Sequence, residues 1–467
     1  MRYLVFQILF LFALRPIYSA PPLPTTFSGT RASFEDGSLL LSGKIEIDHA
    51  IGTLFAESAE MHSSTKEQGP LPFSSISLKN SVRIELKDGG KLTCEKATID
   101  CKTLHCHLLA GQGDLITLIQ TIPEKNGTKT PFQLLSQTAS LSFDRGEKGH
   151  RLDKFICKGQ VLLLSEPFFK IEGDRALYID GKSLTVERET PLSRCSVFYK
   201  ESHFEAEMVG LASGLFAFKH PRGTLCAPWR FAANKMVWNK NRSSFTLQGH
   251  VILERPDFGT LTADLLLLKE DMDGEIASIE TKSLTKIYLA DEKAQMTAPG
   301  GIKFDKKQSQ IHARGVEGEQ ICLKGGNFGM LANLSTIECD TGSLQPLSIS
   351  MKGDVKLFSL GNEDWLALAG RAHYSPSTKT LILSGSPGNE VIYINENQDS
   401  QLAAEEIHLT HEKGGGLRVK GVGKVKLLLS SEELAQIKAQ FPKIAGEINY
   451  EHKTNTSSRC TRPVEIL

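Results

Sequence analysis

The chain has 467 residues, 54 basic and 54 acidic, so its formal net charge is zero; 40% of its residues are apolar. A nucleic-acid footprint would need a basic excess or stripe, and nothing in this balance suggests one; no nucleic-acid partner is expected. The length suits two domains or one elongated array, and 40 glycines suit a chain with many turns.

The N-terminus starts with Met1-Arg2, continues through a mostly apolar run from Tyr3 to Leu14, and ends in Ile17-Tyr18-Ser19-Ala20-Pro21. A short positive start, an apolar core and small residues at the end have the shape of a secretory signal, expected over residues 1–19. The run falls short of the roughly 20 residues a membrane span needs. The nine cysteines are an odd number, so at least one stays unpaired in any intramolecular scheme.

From Phe27 onward apolar residues recur with a period of two, the mark of strands with one buried face. Ser38-Leu39-Leu40-Leu41-Ser42 and Ile45-Glu46-Ile47 come first, and a second copy runs from Ile76 to Leu109. Polar stretches from Met61 to Phe73 and from Thr121 to Pro131 read as loops. The clearest copy is Gly159-Gln160-Val161-Leu162-Leu163, then Phe169-Lys170-Ile171, with Asp180-Gly181 as a two-residue type I′ hairpin signal. Residues 27–187 thus form a first lobe. Residues 188–230, with Pro191 and Pro221, read as an irregular insertion or junction. A second lobe spans 231–429. In the last segment, 430–467, Ser430 and Glu433 make a capping box and Leu434, Ile437 and Phe441 share a helical face, which predicts a short helix followed by a mobile tail.

Two motifs recur every 34–37 residues where no loop intervenes. One is Gly-x-[Val/Ile]-x-[Leu/Ile], as in Gly43 to Ile47, Gly249 to Leu253, Gly353 to Leu357 and Gly423 to Leu427, with Ser81-Val82-Arg83-Ile84 as a looser copy. The other places an Ala two residues before an apolar one, as in Ala97-Thr98-Ile99 and Ala372-His373-Tyr374. In the first motif the apolar residues point to one face. That face holds Ile45, Ile47, Val82, Ile84, Val161, Leu163, Phe169, Ile171, Val251, Leu253, Val355 and Leu357. Two such faces either close on each other as a core or stand apart as an apolar groove, in which each buried CH₂ of an acyl chain would gain about 0.8 kcal/mol. Periodicity leaves both open.

No catalytic constellation is expected. Cys94, Cys101, His105, Cys106 and His107 are the densest ligand-like group, but their spacing fits no standard zinc pattern. Glu405 and Glu406 are adjacent on a strand and point to opposite faces. No nucleophile elbow, phosphate-binding loop or zinc-protease helix is present. No cofactor or metal is predicted.

The alternation of Gly-x-Val-x-Leu with [Asp/Glu]-x-Ala-x-Tyr resembles the OstA-like repeats of the LptA family of lipopolysaccharide transport proteins. Its best copies are Gly173-Asp174-Arg175-Ala176-Leu177-Tyr178 and Gly370-Arg371-Ala372-His373-Tyr374. The resemblance covers about Phe27 to Leu429. It implies an all-β, elongated, open antiparallel β-jelly roll, a V-shaped slab. It further implies a non-enzymatic protein of the periplasm, in reach of the outer membrane, that holds the lipid A acyl chains of lipopolysaccharide between its sheets. Partners would be other lipopolysaccharide transport proteins joined by edge-strand pairing, and further copies of itself end to end. The chain is about twice the length typical of the family. The competing expectations are a structural or adhesive β-solenoid, against which the hairpin turns argue, and a β-helix enzyme acting on polysaccharide.

Overall fold

A computed structural model describes residues 26–426 apart from 64–72, 125–126, 147–148, 166–168, 180, 191–192, 290–293, 327, 361–364, 396–399 and 412–416. The expected signal segment and the expected helix after Ser430 lie outside the described residues. Those described are almost entirely strand, with one 3₁₀ turn at Lys240–Arg242 and no α-helix. The strand pairs are antiparallel along the whole described chain, as where Gly149–Ser165 meets Phe169–Ile179 and Ser244–Arg255 meets Gly259–Glu270. A parallel β-solenoid is thereby excluded for this stretch, and the β-jelly-roll class expected from the repeats is the observed one.

Two compact units are present. The first takes the described residues up to Pro221 together with Val237–Lys240; the second takes Arg222–Met236 and the described residues from Asn241 onward. Residues 188–230, expected to be irregular, instead carry short strands such as Cys195–Tyr199, Ser202–Ala206, Met208–Ala212 and Leu215–Lys219. Their five-residue lengths and Pro191 hid the period in the sequence.

Each unit is a sheet folded on itself along a line of kinks. In the first unit the strand Ser38–His49 pairs through residues 38–42 with Arg31–Glu35 and through residues 46–48 with Thr26–Ser28. The two halves are separated at Gly43-Lys44, where register shifts and both residues have positive φ, 74° and 42°. Gly159-Gln160 (74°, 46°), Gly249-His250 (72°, 47°) and Gly353-Asp354 (80°, 47°) repeat the device, and Asn80-Ser81 (64°, 51°) is the variant copy. Two consecutive left-handed residues turn a strand out of its plane, and Gly takes that conformation without a Cβ penalty while Asn tolerates it best among the rest. The glycine of the Gly-x-Val-x-Leu motif is therefore the crease of the fold, and its Val and Leu are the first inward residues beyond the crease.

Short strands cross between layers opposite each crease. The crossing residues Thr30, Gln137, Asn234 and Asn333 donate their backbone N–H groups to the carbonyls of Gly43, Gly159, Gly249 and Gly353 at 2.9–3.1 Å. In this way backbone groups left unpaired by the crease stay satisfied. The hairpin after Ile179 differs from expectation: Ile179 pairs with Ser183, so its loop has three residues instead of the two a type I′ turn requires.

The interior is a wedge. Next to the crease of the first unit lie small buried side chains: Ala59, Ala97, Ala139, Cys157 and Ala176 on one layer, Ala56, Cys195 and Ala206 on the other. One cross-strand step further from the crease the row on the first of these layers holds Ile76, Ile99, Leu141, Phe155 and Tyr178. Leu41, Leu78 and Leu108 share that inner row, each paired with one of these alanines, so the recurrent Ala motif sets small side chains beside large ones next to the crease.

Candidate functional site

The twelve predicted groove residues all point into these interiors. Ile45, Ile47, Val82, Ile84, Val161, Leu163, Phe169 and Ile171 in the first unit, and Val251, Leu253, Val355 and Leu357 in the second, are 0–3% exposed. Their cover comes from this chain's own side chains. Phe169 shows how: its ring lies 4.3 Å from that of Phe216 and 5.1 Å from that of Trp238, and Tyr199 lies 4.5 Å from Trp238. Phe169 and Phe216 stand on opposite layers, so the aromatic cluster bridges the wedge near its mouth.

Polar contacts also tie the free rims of the two layers together. In the first unit the turn at 49–52 belongs to one layer and the pair Gly146–Gly149 to the other. The backbone N–H of His150 donates to the Ala50 carbonyl across this gap at 3.2 Å. In the second unit the Cys226 thiol donates to buried Glu270 at 3.0 Å, and Arg255 donates to the Gly342 carbonyl at 2.7 Å. Each of these links joins one rim to the other across the mouth. Sequence reasoning missed them because each joins residues far apart in the chain with no shared period.

His49 sits at this rim, 3% exposed. Its Nδ1 accepts the Ile51 N–H at 3.4 Å, and its Nε2 has no hydrogen-bond partner among the described residues. Burial, then the neighbouring His150 and Lys87, push its pKa down to about 4, with Asp48 acting in the opposite direction.

A cleft of about 670 Å³ in the first unit is lined both by buried Phe132, Ser165 and Phe169 and by the more exposed Ile119, Pro131, Gln133, Leu164 and Lys170. Of the twelve predicted residues only Phe169 reaches it. The Cys/His group divides as a strand requires: His105 and His107 are exposed while Cys106 is buried on the other face. No group of three His, Cys, Asp or Glu side chains that could hold a metal occurs among the described residues.

The first described strands, Thr26–Ser28 and Arg31–Glu35, are exposed throughout. Phe34, paired with Leu39 on the inward side, is 68% exposed, and Phe27 is 45% exposed. A sheet edge with accessible backbone and inward apolar side chains is a template for another strand.

No family profile matches this sequence. No curated protein matches it either. The chain is similar to a solved structure. That structure is LptH from Pseudomonas aeruginosa, described as the LptA-homologous periplasmic component of the conserved lipopolysaccharide transport device; the likeness has 12% identity, covers 29% of this chain and 94% of that one, and has a TM-score of 0.24. A likeness of that degree decides neither fold nor function, which stand on the residues and the strand pairings above.

Proposed function

We propose that this chain is a non-enzymatic lipopolysaccharide-binding and transport protein of the periplasm that shields lipid A acyl chains between its two layers. The observation that carries the reading is the creased wedge itself: repeated Gly-x-Val-x-Leu segments line a continuous apolar interior within each unit. A hinge-like crease on one side and rims joined by a few polar links on the other allow the layers to part, and an acyl chain then fills the apolar space between them. The exposed N-terminal edge supplies a surface for strand pairing with other transport proteins or with a second copy end to end.

The test places a photo-crosslinking amino acid at inward Val161, Val251 or Val355 and at outward Lys154 or Lys356. Labelled lipopolysaccharide captured at the inward positions and not at the outward ones supports transport; capture at neither set sinks it.

A second reading has one observation in its favour. The 0–3% exposure of all twelve inward residues also suits a closed structural spacer that works only through its edges. In that case strand pairing persists while lipid capture fails.

A further inference from the structure

The outer side of one layer of the second unit changes character along the chain. Inward and outward residues alternate on every strand of this layer. Between residues 259 and 324 its outward positions are mostly polar: Thr260, Thr262, Lys286, Gln295, Thr297 and Lys324. From 329 to 403 they turn apolar, with Leu331, Phe358, Leu366, Leu368, Ile392 and Ile394 against the polar exceptions Lys356 and Gln401. Phe358 pairs with Leu366, and Leu366 with Ile394, so the three form one row across three strands. The Phe358 ring lies over Gly329, where an added Cβ would meet it at 2.4 Å. Outward as they are, Phe358 is only 4% and Ile394 only 3% exposed. Ile252 and Tyr288, outward on the same layer, are 39% and 43% exposed. The facing layer lies on the inward side and does not supply the difference.

We propose that this outer face is the docking surface for the chain's own segment 430–441, laid across it as an amphipathic helix with Leu434, Ile437 and Phe441 against Phe358, Leu366 and Ile394. The place where the described chain ends favours this occupant. Lys426 donates its N–H to the Ala403 carbonyl at 2.8 Å and accepts the Ala403 N–H at 3.0 Å. Ala403 belongs to Ser400–Ala404, which pairs with Val391–Asn395 in the same layer. Four residues before Ser430 the chain is thus already beside the apolar face. Length fits as well. From Ser400–Ala404 to Pro346–Ser359 is three strand steps, about 14 Å at the usual spacing. Twelve helical residues, 430–441, span about 18 Å. Pattern fits too: the Ser430–Glu433 capping box starts the segment and its apolar residues share one face, which needs an apolar partner. A sheet face of this composition left to water would be an adhesive patch. The inference stands on strand register and burial and does not need the transport reading.

Photo-crosslinking in the full chain tests it. A photo-crosslinking amino acid in place of Phe358 is expected to link within one chain to a peptide containing residues from 430–441, identified by mass spectrometry. The same group in place of Tyr288, outward on the same layer, is expected not to capture that peptide. Links from position 358 only to the loops 361–364 or 396–399, to a second copy or to added lipid, or equal capture from position 288, would each overturn the proposal. Hydrogen exchange gives a measurement that leaves the sheet unaltered. Ile437→Asp in the full chain is expected to speed exchange of Val391–Asn395 amides about tenfold, the size of losing one large buried aliphatic side chain. Gln436→Asp, on the opposite side of the predicted helix, is expected to leave it unchanged. Equal effects of the two substitutions, or none from Ile437→Asp, would remove the segment from this face.

Discussion

Gln137 and Gly159 meet at the crease of the first unit. The Gln137 N–H donates to the Gly159 carbonyl at 3.0 Å, and a Cβ on Gly159 would lie 2.5 Å from Gln137 Oε1. Gly159 also has φ of 74°, where an L side chain is strained. Gly159→Ala therefore carries both a backbone and a contact penalty, although the Gln137 side chain can swing aside. An expected loss of about 1–2 kcal/mol in urea unfolding follows from the left-handed conformation. Gln160→Gly at the adjacent left-handed position, φ 46°, is expected to have no cost or a small gain. The same pair of substitutions at Gly249 and His250 checks that the crease, and not the local neighbourhood, sets the effect.

Ala176 tests the wedge. It is fully buried, pairs with Cys157 across one ladder and with Val186 across the other, and lies one step from the crease. Ala176→Leu adds volume at a fully buried position beside the crease and is expected to cost about 1–3 kcal/mol. Tyr178→Phe, one step further from the crease, keeps the volume and is expected to cost less. Urea unfolding followed by tryptophan fluorescence reports both; equal effects would count against a close-packed interior beside the crease.

The inward face was readable in the sequence because a strand's period of two is local. All twelve residues chosen on that basis are inside. Other features are set by backbone dihedrals or by contacts distant in the chain. Gly43, Gly159, Gly249 and Gly353 were visible as a motif, but a repeated Gly does not announce that its φ is positive or that the next residue shares it. Likewise nothing near Cys226 points to Glu270, 44 residues away, nor near Arg255 to Gly342, 87 residues away. Whether two apolar faces meet or stand apart depends on these rim contacts, so the period alone left open a choice that Phe169, Phe216 and Trp238 make in favour of closure where they stand.

Phe169 and Phe216 are the place to loosen the mouth. Both are buried, their rings are 4.3 Å apart, and they come from opposite layers. Phe216→Ala or Phe169→Ala removes a bridging ring and is expected to cost about 3–5 kcal/mol, the range for a large-to-small change in a packed core. Because each ring contacts the other, the double variant is expected to cost less than the two single losses together, with a coupling of about 0.5–1.5 kcal/mol. A double-mutant cycle in urea measures it. Strict additivity would mean that the two layers are not joined here.

The thiols give a chemical measure of how tightly the interior is closed. Six described cysteines are buried. Burial pushes Cys94 and Cys157 up to about 12, and Cys101, Cys195 and Cys339 up to about 11. A rise from the usual value near 9 to 11 lowers the thiolate fraction at pH 7.5 about hundredfold, and thiolate is the form that alkylating reagents attack. In the native chain these five residues are expected to resist iodoacetamide at pH 7.5, and in urea to react to completion, as intact-mass measurements will show.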